Sequence, residues 1–150
     1  MNRLVRQFDQ QLILLKKNYP HKWPAPYIFV GVDMHQTAVK PTWSNEASEE
    51  FYSLALESLQ LMTEDPEVML ILWTSSTPEQ AQAYKDGMRV LGVKFRYLNE
   101  NPEAANTPYG DYTKKLYFNV GLDDKFGFTP DEDWPALFEY FTERKNKRDH

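Results

Sequence analysis

Apolar positions along this chain fall into two alternating patterns. Leu4, Phe8, Leu12 and Leu15 recur at helical spacing, which predicts an amphipathic helix ending before Pro20. Pro24 and Pro26 then interrupt regular structure. The run Tyr27-Ile28-Phe29-Val30-Gly31-Val32 is almost continuously apolar and rich in aromatic and β-branched residues, as a strand buried on both faces requires. Phe51, Ala55, Leu59 and Met62 mark a second helix, with Ser44 and Asn45 as candidate caps ahead of it. A second buried strand spans residues 68–73. The third helix carries the clearest local signals. Thr77 and Gln80 are spaced as a capping box, Pro78 takes the first helical position, Ala81, Tyr84, Met88 and Leu91 form its apolar face, and Gly92 ends it. Residues 93–98 read as a short third strand, 99–111 as a loop and 116–122 as a fourth strand. A last helix opens either at Thr129-Pro130 or at Asp133 with Pro135, and turns Trp134, Leu137, Phe138 and Phe141 inward.

Apolar strands alternating with amphipathic helices predict an α/β fold, a three-layer sandwich around a small parallel sheet of Rossmann type, because right-handed crossovers lay helices on the sheet. The chain reads as one domain, with a helical extension over 1–22, a core over 24–128 and a C-terminal helix over 129–150. The N-terminal helix packs on that core or on a partner; a protein partner and a homo-oligomer are both open.

With 150 residues and 41% hydrophobic content the chain can bury a core without disulfides or a structural metal. It has no cysteine, which removes thiolate zinc sites, cysteine nucleophiles and iron–sulfur clusters. Its longest apolar run, 68–73, is far short of the roughly 20 residues that span a bilayer. The N-terminus lacks the apolar segment and small-residue cleavage site of a secretory signal, so a cytoplasmic protein is expected. A net charge of -5, from 17 basic and 22 acidic residues, argues against a general grip on nucleic acid. The basic cluster Arg144-Lys145-Asn146-Lys147-Arg148 reads as a solvated helix end complementing the helix dipole.

In a parallel sheet the ligand crevice lies beyond the carboxyl ends of the strands, where strand order reverses. The first strand ends in Asp33-Met34-His35-Gln36-Thr37, the second in Thr74-Ser75-Ser76, and the fourth in Asp123-Asp124-Lys125. Carboxylates from two strand ends facing one crevice repel unless a cation lies between them, and hard oxygen ligands suit Mg2+. A carboxylate beside such a metal can attack phosphorus, while Thr74, Ser75 and the following N–H groups could hold phosphate oxygens. Each residue also has a plainer reading as a helix or turn cap. Asn99, Asn101, Asn106 and Tyr109 could line the entrance.

These motifs resemble those of the haloacid dehalogenase superfamily, in its phosphatase-like branch. The family's first motif is an apolar strand followed by Asp-x-Asp-x-Thr, its second a Thr or Ser ending a strand, its fourth an acidic pair after a later strand. The counterparts are Asp33-x-His35-x-Thr37, Ile71-Leu72-Trp73-Thr74 and Val120-Gly121-Leu122-Asp123-Asp124, and the resemblance spans about residues 27–128. It implies Asp33 as nucleophile and metal ligand, the His35 carbonyl as another ligand, Thr74 as a phosphate contact, and Asp123 with Asp124 as further ligands of Mg2+. Two departures stand out. His35 replaces the family's general acid, and can itself shuttle protons. Lys114 and Lys115, the candidates for the family's lysine, precede the fourth strand; if that strand is extended from 116, Lys115 lies about 26 Å from Asp123. Lys125 is then the nearer candidate for phosphate neutralisation. Asp33 and Thr74 are 41 positions apart, too few for the inserted cap domain of many family members.

The leading expectation is therefore an uncapped, Mg2+-dependent phosphatase acting through an aspartyl-phosphate on a small or macromolecular phosphorylated substrate. The alternative is a catalytically degenerate relative that binds metal, phosphate or a protein without turnover. A third reading, a phosphatase of nucleic-acid ends, would use the basic C-terminal segment.

Overall fold

The structure, a computed structural model, describes residues 1–41, 50–104, 106–107, 110–111 and 116–150. The candidate caps Ser44 and Asn45, and Tyr109, Lys114 and Lys115, lie outside the described residues. Four strands, β1 (Ile28–Val32), β2 (Val68–Leu72), β3 (Phe95–Leu98) and β6 (Val120–Leu122), form a parallel sheet in the order β3-β2-β1-β6. A separate two-stranded antiparallel ribbon joins β4 (Asn106–Thr107) to β5 (Gly110–Asp111). The helices are α1 (Arg3–Asn18), α2 (Ala55–Glu64), α3 (Pro78–Val90) and α4 (Pro130–Arg148). The α/β class and the parallel sheet expected from the alternating patterns are both present.

Alternation along the strands sorts the core into two. Ile28, Val30, Val32, Leu70, Leu72, Val120 and Leu122 pack in one cluster with apolar residues of all four helices. Phe29, Met69 and Ile71 face the other way, onto Ala25, Ala104, Tyr27, Tyr97 and the stretch Leu116 to Phe118. Handedness accounts for this asymmetry. The crossovers β1 to β2 and β2 to β3 step in one direction and place α2 and α3 on the same face. The step from β3 back across to β6 must cover the opposite face. That return segment contains a 3-10 turn, Pro102–Ala104, and the short ribbon instead of an α-helix among its described residues. The third layer is thus built largely from aromatic side chains and irregular backbone.

α1 docks on the chain's own core, answering the question its sequence left open. Leu4, Phe8, Leu12 and Leu15 are buried, and Phe8 meets Phe141 of α4 edge-on at 5.1 Å. Each such side chain contributes about 1.5–3 kcal/mol when fully buried, before the entropy of ordering is counted. The cap of α3 is as the sequence reads: Thr77 Oγ1 accepts from the Gln80 N–H at 3.3 Å, Pro78 follows, and Gly92 sits at φ 84°.

Several boundaries differ from expectation. Phe51 lies ahead of α2, in a bridge to Val39, so the second helix is shorter than its apolar spacing suggests. The fourth strand covers three residues, 120–122, because Asn119 leaves the strand path to cap the Phe29 N–H through its side chain. The extended-chain distance that set Lys115 apart from Asp123 therefore loses its premise. α4 starts at Pro130, but Asp133 carries its cap, accepting from the Thr129 N–H at 2.7 Å and from the Asn2 side chain at 2.9 Å. Pro135 is inside the helix, and Phe138 is only partly buried.

The basic C-terminal cluster is not the free, solvated helix end expected. Arg144 makes a two-pronged contact with the buried Asp65 at 2.8 and 3.3 Å and reaches Glu67 at 3.0 Å. Arg148 also meets Asp65 at 3.1 Å, and Lys145 pairs with Glu64 at 3.1 Å. These cations tie α4 to the turn after α2, which weakens their case as a nucleic-acid grip. Among the described residues, no helix is long and apolar enough to cross a membrane.

Candidate functional site

β1 occupies the point where the strand order reverses, with β2 on one side and β6 on the other. Ligand sites in such sheets form at the carboxyl end of that strand. Pairing continues one residue past the strands: the Trp73 N–H donates to the Val32 carbonyl at 2.8 Å and the Asp33 N–H to the Leu122 carbonyl at 2.9 Å. Asp33 is thereby held between Trp73 and Asp123, and the backbone alone fixes the meeting of three strand ends.

Asp33, Asp123 and Asp124 each offer a carboxylate oxygen, and these oxygens all lie within 4.8 Å of one another. At an intermediate effective dielectric, unit charges that close repel by roughly 3 kcal/mol per pair, more than a typical hydrogen bond returns. Burial pushes the Asp33 carboxyl up from 3.8 to about 7, and the charges of Asp123 and Asp124 push the same way, while the Met34 N–H opposes them. Asp123 is raised by burial and by Asp124, against the N–H and charge of Lys125. A divalent cation would relieve this crowding, and an all-oxygen donor set suits a hard ion such as Mg2+ or Ca2+. The three carboxylates therefore fit such an ion.

Thr37 is a residue whose role sequence reasoning missed. It is fully buried, its hydroxyl accepts from the Asp124 N–H at 3.0 Å, and it stands 3.4 Å from Asp33 Oδ2. Its carbonyl accepts from the Trp134 indole at 2.6 Å. Thr37 thus couples the loop after β1 to the loop after β6, and its place in Asp33-x-His35-x-Thr37 was the available signal.

The acidic cluster opens into a pocket of about 380 Å³ lined by Asp33 and Asp123 with Trp73, Thr74, Ser75, Asn99, Lys125 and Phe126. Thr74, Ser75 and Lys125 thus share the crevice with the acids, as the sequence reading expected. Asn99 clamps Thr74 from both sides, its side chain accepting from the Thr74 N–H and donating to the Thr74 carbonyl, each at 2.8 Å. The Thr74 hydroxyl bonds Ser76 Oγ at 2.9 Å and accepts from the Ser76 N–H at 3.1 Å, so it shapes the turn after β2 as well as facing the pocket. Asp123 caps the 3-10 turn Asp124–Phe126 by accepting from the Lys125 N–H at 2.9 Å, which turns Lys125 outward at the rim.

His35 is placed differently from the other candidates. Its ring is absent from the pocket lining; Nε2 shares a hydrogen bond with the Tyr84 phenol of α3. Asn101, a candidate for the entrance, is instead buried and donates to the Tyr117 carbonyl at 2.9 Å. Of the other entrance candidates, Tyr109 and the side chain of Asn106 are outside the described residues. His21 is exposed.

No family model matches the chain, and no curated protein matches it significantly. A solved structure, that of a conserved protein coded by a locus from Bacteroides thetaiotaomicron, is similar to it with a TM-score of 0.59 and 24% identity, over 79% of this chain and 92% of that chain. This likeness shows the α/β fold.

Proposed function

We propose that this chain is a divalent-metal-dependent phosphohydrolase of the haloacid dehalogenase type, acting through an aspartyl-phosphate. The observation that carries the reading is the cluster of three carboxylates, two of which, Asp33 and Asp123, line one pocket beyond the strand ends with the Thr74 turn and Lys125. Asp33, Asp123 and Asp124 would hold Mg2+, which supplies charge neutralisation for the phosphoryl oxygens when bound. An Asp33 carboxylate oxygen attacks phosphorus, the bond from phosphorus to the leaving oxygen breaks, and that oxygen takes its proton from solvent water, since no imidazole among the described residues lines the pocket. Water then attacks the phosphorus of the aspartyl-phosphate, its proton is taken up, and phosphate and the free Asp33 carboxylate return. Lys125 and the Thr74 and Ser75 side chains bind the remaining phosphoryl oxygens, the Thr74 and Ser76 N–H groups being engaged by Asn99 and by the Thr74 hydroxyl. Among the described residues none forms a cap over the pocket, so water is excluded mainly by the substrate itself.

The second reading, a domain that binds metal and phosphate without turnover, is favoured by the engagement of His35 with Tyr84, which leaves no imidazole lining the pocket. Phosphate release from a panel of phosphomonoesters, with and without Mg2+, separates the two. Wild type is expected to turn over only with Mg2+, and Asp33→Asn to lose at least a thousandfold, the scale set by removing a nucleophile. Equal rates in both proteins would remove Asp33 from the role.

A further inference from the structure

On the sheet face opposite the helices, two positions without side chains lie next to each other. Gly31 and Gly121 are register partners on β1 and β6. The ring of Phe118 covers both: a Cβ at Gly31 would stand 3.2 Å from Phe118 Cδ1, and one at Gly121 would stand 2.9 Å from its Cε2. Phe126 shares the space over Gly121, where the same Cβ would meet its ring at 2.8 Å. The bare position at Gly121 is what lets the Phe126 ring lie down beside the acidic cluster, and the one at Gly31 makes room for Phe118. Trp73 extends the row, its ring 6.2 Å from Phe118, which is itself 6.2 Å from Phe126 and inclined to it by 35°. Trp73 and Phe126 line the same pocket as Asp33 and Asp123, and Phe126 is 50% exposed, whereas Phe8, Phe29, Phe128 and Phe141 are buried.

We infer that Trp73 and Phe126 form the leaving-group subsite of this pocket, and that the group they take is a flat aromatic ring. The inference rests on the phosphohydrolase reading and names its substrate class. Chemistry divides the pocket: the carboxylates and Lys125 serve the phosphoryl end, while the Asn99 side chain is engaged with the Thr74 backbone. What remains for the leaving group among the described residues is aromatic surface, with no charged side chain of its own. Aromatic faces and edges favour another planar ring over a saturated one of equal size, because the quadrupoles add to the burial of area. A volume of about 380 Å³ suits a phosphate with one or two rings.

The experiment compares benzyl phosphate with cyclohexylmethyl phosphate. Both leaving groups are primary alcohols of similar size and basicity, so flatness is the main variable. Binding of benzylphosphonate and cyclohexylmethylphosphonate in Mg2+, followed by calorimetry, gives a readout independent of turnover. The benzyl compounds are expected to be favoured about fivefold in kcat/KM and in Kd. In Phe126→Leu and Trp73→Leu, each checked for folding by its melting curve, that ratio falls toward one. A nucleoside 5′-monophosphate forms a further arm: preference for it assigns the ring to a nucleobase, preference for benzyl phosphate to a ring close to the phosphate. Equal treatment of the flat and saturated compounds by wild type, or a ratio unchanged in both variants, overturns the subsite while leaving Mg2+-dependent hydrolysis intact. Preferential binding without turnover keeps the subsite and removes the hydrolase reading. Binding of neither phosphonate overturns both.

Discussion

Tyr84 of α3 and His35 of the loop after β1 share a hydrogen bond through the phenol and Nε2, with their rings edge to face at 5.4 Å. The tyrosine is 4% exposed, so this bond fixes the orientation of the imidazole from the core side. Tyr84→Phe keeps the ring contact and removes the bond. It is expected to destabilise the fold by about 1 kcal/mol and to move the His35 ring nitrogen resonances in 15N NMR. Unchanged His35 resonances would show that the bond does not set the ring.

The acidic cluster predicts an unusual dependence of stability on pH. Asp33 titrates near 7 in the folded chain against 3.8 for an ordinary aspartate. A carboxyl raised in this way penalises the fold fully above about pH 7, and the penalty is relieved as pH falls toward 4. In chelator, Asp33→Asn is therefore expected to be more stable than wild type at pH 8, with the gap narrowing at pH 5.5. The site is partly solvated, so the gap at pH 8 should be roughly 1–2 kcal/mol rather than the full conversion of the shift. Urea midpoints at the two pH values measure it, and a wild type more stable than the variant at pH 8 would contradict it.

Mg2+ should reverse the same penalty. Because the ion binds the ionised carboxylates, it is expected to raise the melting temperature of wild type at pH 8 more than at pH 5.5. The triple variant Asp33→Asn, Asp123→Asn, Asp124→Asn should show no Mg2+ shift at either pH. Calorimetric melting with and without Mg2+ checks both statements.

Gly121→Ala tests the packing of the aromatic row. The new methyl would stand 2.8 Å from the Phe126 ring and 2.9 Å from the Phe118 ring. A loss of about 1–3 kcal/mol is expected, larger than for Gly31→Ala, where the nearest ring atom is 3.2 Å away. Chemical denaturation of the two variants orders them.

Asp65 accepts from both Arg144 and Arg148 while its side chain is only 1% exposed. Asp65→Ala leaves two guanidinium groups without their shared partner at the base of α4. The expected cost is about 2–4 kcal/mol, toward the lower range for breaking a buried pair because the two arginines are partly exposed. A thermal shift near zero would mean that the arginines find Glu67 or water equally well.

The sequence by itself determined those elements whose signal is local. β1 and β2 are buried on both faces, so their residues must be apolar at every position, and a run such as Val68 to Leu72 has no competing reading. α3 carries its own cap and terminator, Thr77 and Gly92, which need nothing from elsewhere in the chain. Strand ends were legible for the same reason, which is why Asp33, Thr74, Ser75, Asp123 and Lys125 could be placed at one crevice before any coordinates. Only the tertiary structure decided what depends on partners distant in sequence. Periodicity could not reveal that Phe51 bridges Val39, that the Asp133 side chain reaches back to the N–H of the cap residue Thr129, or that Arg144 serves the buried Asp65 across 79 positions. Nor could it show His35 turned to Tyr84, or Trp73 and Phe126 brought to one pocket with Phe126 laid over Gly121. Local sequence fixes backbone conformation through sterics and solvation of neighbouring residues, whereas side-chain direction at a sheet edge follows from which strands pair and in what register.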